Sequence, residues 1–427
     1  MRRFISPVGV ALSAFAATGA AFAQQYGAPV STPPTQPYRE PAATTPTGPP
    51  LCHAGISNGA RKALVELQTV VFAKDTANIP AKLAGAQAVA KSNDDKCFIG
   101  LMQLKAAADS NDLKGMAVAL EAQLASGSIP AATIAGDFEN LGRMHYNARA
   151  YTDAGASFER ALQLAPTRGG PVILLAQTRV IQKRGAEALP LFQKAIALEI
   201  AAGRKPEESW YRRPVAIAYD NKNPLALSLT RDWVAAYPNA KNWRDAIRVH
   251  AGLSGLGDVA LIDMYRLARL NAALAGEADY ARYAEVALSK GFPGEAKALL
   301  DQGFAANAID RNSATFKSLY ATATTKAAGD RAALDAQAKT ALAGGTAKSL
   351  MTLAEAYYGY GDYARAAELA RAAQGKPGVD AELANLRLGM ALAASGDKAG
   401  AKAALDLVVG PQAEVARYWQ TYLATRP

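Results

Sequence analysis

The sequence predicts an all-α chain built as a stack of helical hairpins. Three observations carry that reading. Apolar and small residues recur three and four positions apart through most of the 427 residues, the period at which helix faces repeat. A pattern of small, large and small residues returns at intervals near 34. No stretch alternates apolar and polar residues with turn signals at both ends, as a strand would. Half of the residues are hydrophobic, enough for a large core or a long array.

Taken in order, residues 1–23 read as a secretory signal. Arg2 and Arg3 give a positive start, an apolar run spans Val8 to Ala17, and Ala21-Phe22-Ala23 fits the small-x-small cleavage rule. The expected location is the periplasm, or the exterior, after Sec cleavage near Ala23. The run is short for a bilayer span, and no transmembrane segment is expected in the mature chain. Residues 24–51, with "APVSTPPTQPYREPAATTPTGPP", lack helical period and large apolar residues, and read as a Pro/Thr-rich disordered tether.

Residues 52–134 read as N-terminal hairpins and residues 135–202 as the clearest pair. In the latter, Leu141 and Gly142 precede His145, Ala154, Phe158, Ala161 and Pro166, with a polar break from Asn147 to Arg149. Two antiparallel helices explain this spacing. Gly142 and Ala154 are small where backbones approach, Phe158 fills the space between hairpins, and Pro166 stops the second helix. Ala188, Phe192 and Ala195 repeat Ala154, Phe158 and Ala161 at a step of 34.

These residues resemble the tetratricopeptide repeat (TPR), whose pattern over 34 residues is Leu-Gly, Tyr, Ala, Phe and a closing Pro. His145 stands where the family usually has Tyr. The resemblance implies a right-handed superhelical solenoid of about ten TPR-like hairpins, each burying its face against its neighbours. Stepping back from Ala154 gives Gly115 and then Ala81; stepping forward from Ala188 gives Ala226, Ala260, Ala296, Leu334, Ala366 and Ala401. Residues 203–345 thus read as degenerate hairpins. Residues 346–427 read as a second clear pair with a capping helix, in which Tyr418, Trp419 and Tyr422 cover the last hairpin.

Candidate chemistry is sparse. Cys52 and Cys97 are the only cysteines, and in an oxidising compartment they most simply pair. Closing that 45-residue separation would stabilise by roughly 4 kcal/mol on the chain-entropy account. The alternatives are two buried thiols, or a metal site with His53. His145 fills a packing slot, and His250, beside Arg244 and Arg248, is expected on the surface. Gly55-Ile56-Ser57-Asn58-Gly59 fits the G-x-S-x-G nucleophile pattern, but a helix-entry turn explains it without a sheet. Gly359 to Ala364 fits G-x-G-x-x-A, but falls at the turn of a repeat. Residues 344–349 hint at a phosphate loop and lack the glycine before Lys348. Glu207 and Glu208 beside Trp210 read as a helix start rather than a glycosidase pair. The expectation is a non-enzyme with no catalytic residue, no cofactor and no metal.

What remains is a surface. The resemblance implies that the first helix of each hairpin lines a concave groove for a protein or peptide partner. Carried over by alignment, the partner-binding residues are Glu139, Arg143, Tyr146 and Asn147, then Gln177, then Tyr211 and Arg212, and at the C-terminal pair Glu355 and Tyr358. Glu139 and Ile173 stand where paired Lys and Asn would clamp a terminal carboxylate, so that mode is not expected. The function read from the sequence is a non-enzymatic periplasmic scaffold in envelope assembly or secretion. The formal charge of +10, or +8 without Arg2 and Arg3, leaves an acidic glycan as the second kind of partner. In that alternative the chain is an accessory module of an exopolysaccharide or peptidoglycan system. A secreted chain is not expected to meet nucleic acid.

Overall fold

A computed structural model describes Cys52, residues 55–254 and residues 258–426. The signal and tether readings, and His53, lie outside these residues. Every regular element described is an α-helix, and none is long and apolar enough to cross a membrane. The chain divides into two compact units, with the division between Asp220 and Asn221, inside the stretch read as degenerate hairpins.

The N-terminal unit is a sequential stack: α1 (Arg61–Phe72), α2 (Ile79–Val89), α3 (Asn93–Asp109), α4 (Leu113–Ser126), α5 (Ala131–Asn147), α6 (Tyr151–Leu164), α7 (Gly169–Ile181), α8 (Gly185–Ala201) and α9 (Glu208–Asp220). Each helix packs on its successor. The hairpin turns share one device. Asn111, Arg149 and Lys183 adopt left-handed backbone at φ 55°, 61° and 60°. The next residue then donates its N–H five positions back, as Ala150 does to His145 O at 2.9 Å. The small-on-large contact is equally regular. A Cβ added to Gly142 would sit 2.5 Å from the Phe158 ring, and one added to Gly100 would sit 2.7 Å from Gln123. Ala119, Ala154 and Ala188 are fully buried. In the first hairpin the buried alanine is Ala86; Ala81, the position the period pointed to, is exposed.

Cys52 and Cys97 form a disulfide with Cα atoms 5.5 Å apart, which ties the chain ahead of α1 to α3. Asp95, fully buried, reinforces the tie. Its carboxylate accepts from the Ser57 hydroxyl at 2.7 Å and from the N–H groups of Ser57, Lys91 and Ser92 at 2.9 Å each. Burial works against its charge, but these hydrogen bonds outweigh it and hold the acid far below the usual carboxylate range. Ser57 is therefore a structural donor at a helix entry.

The C-terminal unit contains α10 (Leu225–Ala236), α11 (Ala240–Ser254), α12 (Asp258–Leu270), α13 (Gly276–Ser289), α14 (Pro293–Ala305), α15 (Ala314–Gly344), α16 (Ala347–Gly359), α17 (Tyr363–Gln374), α18 (Ala381–Ser395), α19 (Lys398–Leu405) and α20 (Ala413–Ala424). The turns after α13, α16 and α18 use Gly291, Gly361 and Gly396 at positive φ, which places the G-x-G-x-x-A look-alike in a hairpin turn. A Cβ on Gly389 would sit 2.6 Å from Leu405, the counterpart of Gly142 and Phe158.

Three expectations change here. The hairpin around Leu334 is one continuous 31-residue helix, α15, because alanine-rich sequence with no left-handed turn residue gives no reason to reverse. Phe316 and Ala323 join one apolar cluster with α13 and α14, whereas Leu334, Ala338 and Ala341 join another with α16 and α17. The last helix also does more than cover the final hairpin, since α20 packs against α10 and α12 as well as α18 and α19. The Tyr418 hydroxyl and Thr230 Oγ1 lie 2.5 Å apart, Glu414 pairs with Arg231, and Arg426 donates to Leu270 O at 2.9 Å. At this seam His250 is completely buried, edge-on to Tyr418 at 5.0 Å, and not on the surface. The apolar face of α11 sets its position, and the flanking arginines misled the sequence reading.

Two predictions follow from this packing. Gly142→Ala should destabilise the protein, because burying an extra carbon against Phe158 costs about 1–3 kcal/mol and exceeds the helix-propensity gain of up to about 1 kcal/mol. In a Phe158→Ala background the same change should turn neutral or stabilising; urea melts of the four proteins read the reversal. The second concerns His250, whose pKa burial and then the Arg231 charge push down to about 4. Below the unfolded pKa near 6.5 the unfolded chain holds the extra proton, so stability falls as pH drops from 6.5 towards 4. His250→Gln should remove roughly 3 kcal/mol of that dependence, read as the difference in unfolding free energy at pH 7 and pH 4.

Candidate functional site

In the N-terminal unit the candidate residues form two sets. Glu139 is buried and accepts from Arg143 at 2.6 Å and from Arg168 at 2.9 Å. Gly170, at the start of α7, makes room for it, since a Cβ there would lie 2.7 Å from Glu139 Oε1. The carboxylate thus sits beside the positive end of α7. Arg143 is half-buried in this pair.

The second set lies on three successive first helices. On α5, Tyr146 is buried, edge-on to Tyr151 at 5.5 Å, and its hydroxyl has no hydrogen-bond partner among the described residues. Burial raises its pKa, with nearby Arg213 acting against it. On α7, Gln177 is buried with Oε1 unpartnered. On α9, Arg213 is half-buried and makes no hydrogen bond or ion pair with the described residues. Burial lowers its pKa and Tyr146 is the first group to oppose that. Tyr146 and Ile173, one turn before Gln177, belong to the same apolar cluster as Trp210. Asn147 and Arg212 are exposed, and Tyr211 is buried. The alignment named Arg212 and missed Arg213. The 38-residue step through the degenerate repeat blurs the register by one position, and an Arg-Arg pair gives no local signal of which member turns inward.

In the C-terminal unit the structure places Glu355 and Tyr358 inside a buried ionic cluster. Arg266 of α12 holds Glu295 of α14 with two parallel bonds of 2.8 and 2.7 Å. It also reaches Glu355 of α16 at 2.6 Å. Its guanidinium lies 4.7 Å from the centre of the Tyr358 ring. Arg387 of α18 binds Asp263 at 2.6 Å and pairs with Glu355. Tyr283 donates to Glu295 at 2.6 Å. Arg266, Asp263 and Glu295 are each at most 1% exposed. Two guanidiniums face three carboxylates, so one negative charge is in excess. Burial raises the pKa of Asp263 despite Arg387 and Arg266. Glu355 is half-buried, and Arg266 and Arg387 outweigh its desolvation and hold it down. The two C-terminal residues assigned to a partner are therefore engaged by α12 of the same chain. Sequence reasoning missed Asp263, Arg266, Glu295 and Arg387. The available signal was charge inside apolar helix faces, as in "VALIDMYRLARL" and "LANLRLGMALAAS".

No protein-family model and no curated protein matches the chain. Among solved structures, it aligns with "TPR2AB-domain:pHSP90-complex of yeast Sti1" at 14% identity, over 69% of this chain and 99% of that one, with a TM-score of 0.24. It also aligns with "Structure of Naa15/Naa10 bound to HypK-THB" at 16% identity, over 83% of this chain and 58% of that one, again at 0.24. Likeness at this level carries no argument about shape or partner.

Proposed function

We propose that the chain is a non-enzymatic helical-repeat scaffold that holds a protein or peptide partner against α5, α7 and α9. One observation carries this reading. Tyr146, Gln177 and Arg213, on three consecutive first helices, each keep a buried or half-buried polar group that the described residues do not satisfy. Leaving such groups unpaired costs about 1–3 kcal/mol each, and a bound chain that pairs them recovers it. Exposed Asn147 and Arg212 border the set, and Arg143 stands beside it in its pair with Glu139. Tyr and Arg suit interface anchors because each joins contact area to hydrogen bonding.

The setting we propose is the bacterial envelope, in assembly or secretion. The signal-like residues 1–23 support it, and the Cys52–Cys97 disulfide suits an oxidising compartment. The excess of Lys and Arg favours an acidic glycan as the second reading.

A photo-crosslinking residue at Asn147, in intact cells, should give one dominant protein adduct, which Arg213→Glu reduces at least tenfold while leaving the melting temperature within a few degrees. Persistence of the adduct in Arg213→Glu would remove α9 from the surface. Retention of the purified protein on an acidic polysaccharide column at low salt, with no protein adduct, would favour the glycan reading instead.

A further inference from the structure

The C-terminal unit contains a cavity of about 400 Å³. It opens between α11, α12 and α13, and its volume falls in the range of small-molecule pockets, about 300–1,000 Å³. Ile247, Leu261, Ala268, Ala273 and Leu274 give it an apolar lining. Every charged group in the lining lies on α11 or α13: Arg244 and Arg248 on the former, Asp279, Arg282 and Glu285 on the latter.

Tyr265 enters this cavity from α12. The residue is 92% buried (8% exposed), and its ring stacks on Tyr283 at 5.2 Å. Its hydroxyl has no hydrogen-bond partner among the described residues, although Asp279, Arg282, Arg248 and Glu285 are all close enough to act on it electrostatically. The ion pairs around it are long. Arg248 lies 3.7 Å from Asp279 and makes no hydrogen bond to the described residues, and Arg282 lies 3.8 Å from Glu285. Asp279 already accepts from Ala275 N at 2.9 Å, while Arg244 donates to Ala273 O at 2.8 Å. The Tyr265 O–H is therefore unpartnered among the described residues, and Arg248 is held only by its long ion pair to Asp279, at the polar end of an apolar space.

We infer that this cavity binds a small amphiphilic monocarboxylate, its aliphatic chain on the apolar lining and its carboxylate between the Tyr265 hydroxyl and Arg248. A single negative charge suits the site because Asp279 and Glu285 already line it, and a dianion would meet both of them. An alcohol of equal length could use the apolar lining but would lack charge-assisted bonds to Arg248, which are about twice as strong as neutral ones.

Calorimetric titration of the full chain with sodium octanoate, 1-octanol and sodium acetate tests this. The expected result is one octanoate per chain, bound at least tenfold more tightly than octanol, with no heat from acetate. Tyr265→Phe, which keeps the ring stacked on Tyr283, and Arg248→Gln, at an exposed position, should each weaken octanoate about tenfold and leave octanol unchanged; far-ultraviolet circular dichroism confirms that both fold. The inference is overturned if octanoate gives no binding at millimolar concentration, if octanol binds as tightly, or if both folded variants bind octanoate like the parent.

Discussion

Arg266 and Arg387 cannot leave water unless carboxylates follow them, and that requirement organises the C-terminal unit. A lone buried charge costs several kcal/mol. Asp263, Glu295 and Glu355 meet the two arginines from α12, α14 and α16, so four helices, α18 included, are bound to one polar centre. Such a cluster adds little net stability over apolar packing. It joins helices instead, since Arg266 contacts carboxylates on α12, α14 and α16 and Arg387 ties α18 to the same centre. The same contacts engage Glu355 and Tyr358 within the chain, so these two positions of α16 meet Arg266 of α12.

The N-terminal unit covers its hairpins in another way. A hairpin buries one face within itself and leaves others bare, and there each next hairpin supplies the cover. The charged pairs here are smaller, as where Glu139 of α5 pairs with Arg143 of the same helix and with Arg168 just ahead of α7. The open polar groups of Tyr146, Gln177 and Arg213 belong to this unit. The proposed division of labour is thus a binding stack followed by a unit that spends the corresponding surface on its own closure.

Local packing rules were legible in the sequence, and non-local contacts were not. Gly142 with Phe158, and the buried alanines at steps near 34, are contacts within one hairpin, so spacing alone reveals them. The disulfide was legible because two cysteines have few choices. The continuity of α15 was missed because alanine fits the small positions of a hairpin and the interior of a long helix equally well. His250, Arg266 and Arg387 were missed because their partners lie between 29 and 168 residues away: Glu295 from Arg266, Asp263 from Arg387, and Tyr418 from His250. Arginine and histidine look like surface residues until the fold brings those partners to them. The left-handed Arg149 and Lys183 were hidden for the opposite reason, since only glycine advertises that conformation in sequence.

α12 is a core element, tied to α16 by Arg266 and to α18 by the Asp263–Arg387 pair. Hydrogen exchange read by mass spectrometry on the full chain measures it directly. Peptides from residues 260–270 should exchange as slowly as those from α16 and α18, and Arg266→Met, which costs about 3–5 kcal/mol by stranding its carboxylates, should accelerate all three together. If α12 exchanges like an exposed helix in the parent protein, or if Arg266→Met leaves α16 and α18 unchanged, the face of α16 is open to a partner and this account of the C-terminal unit is wrong.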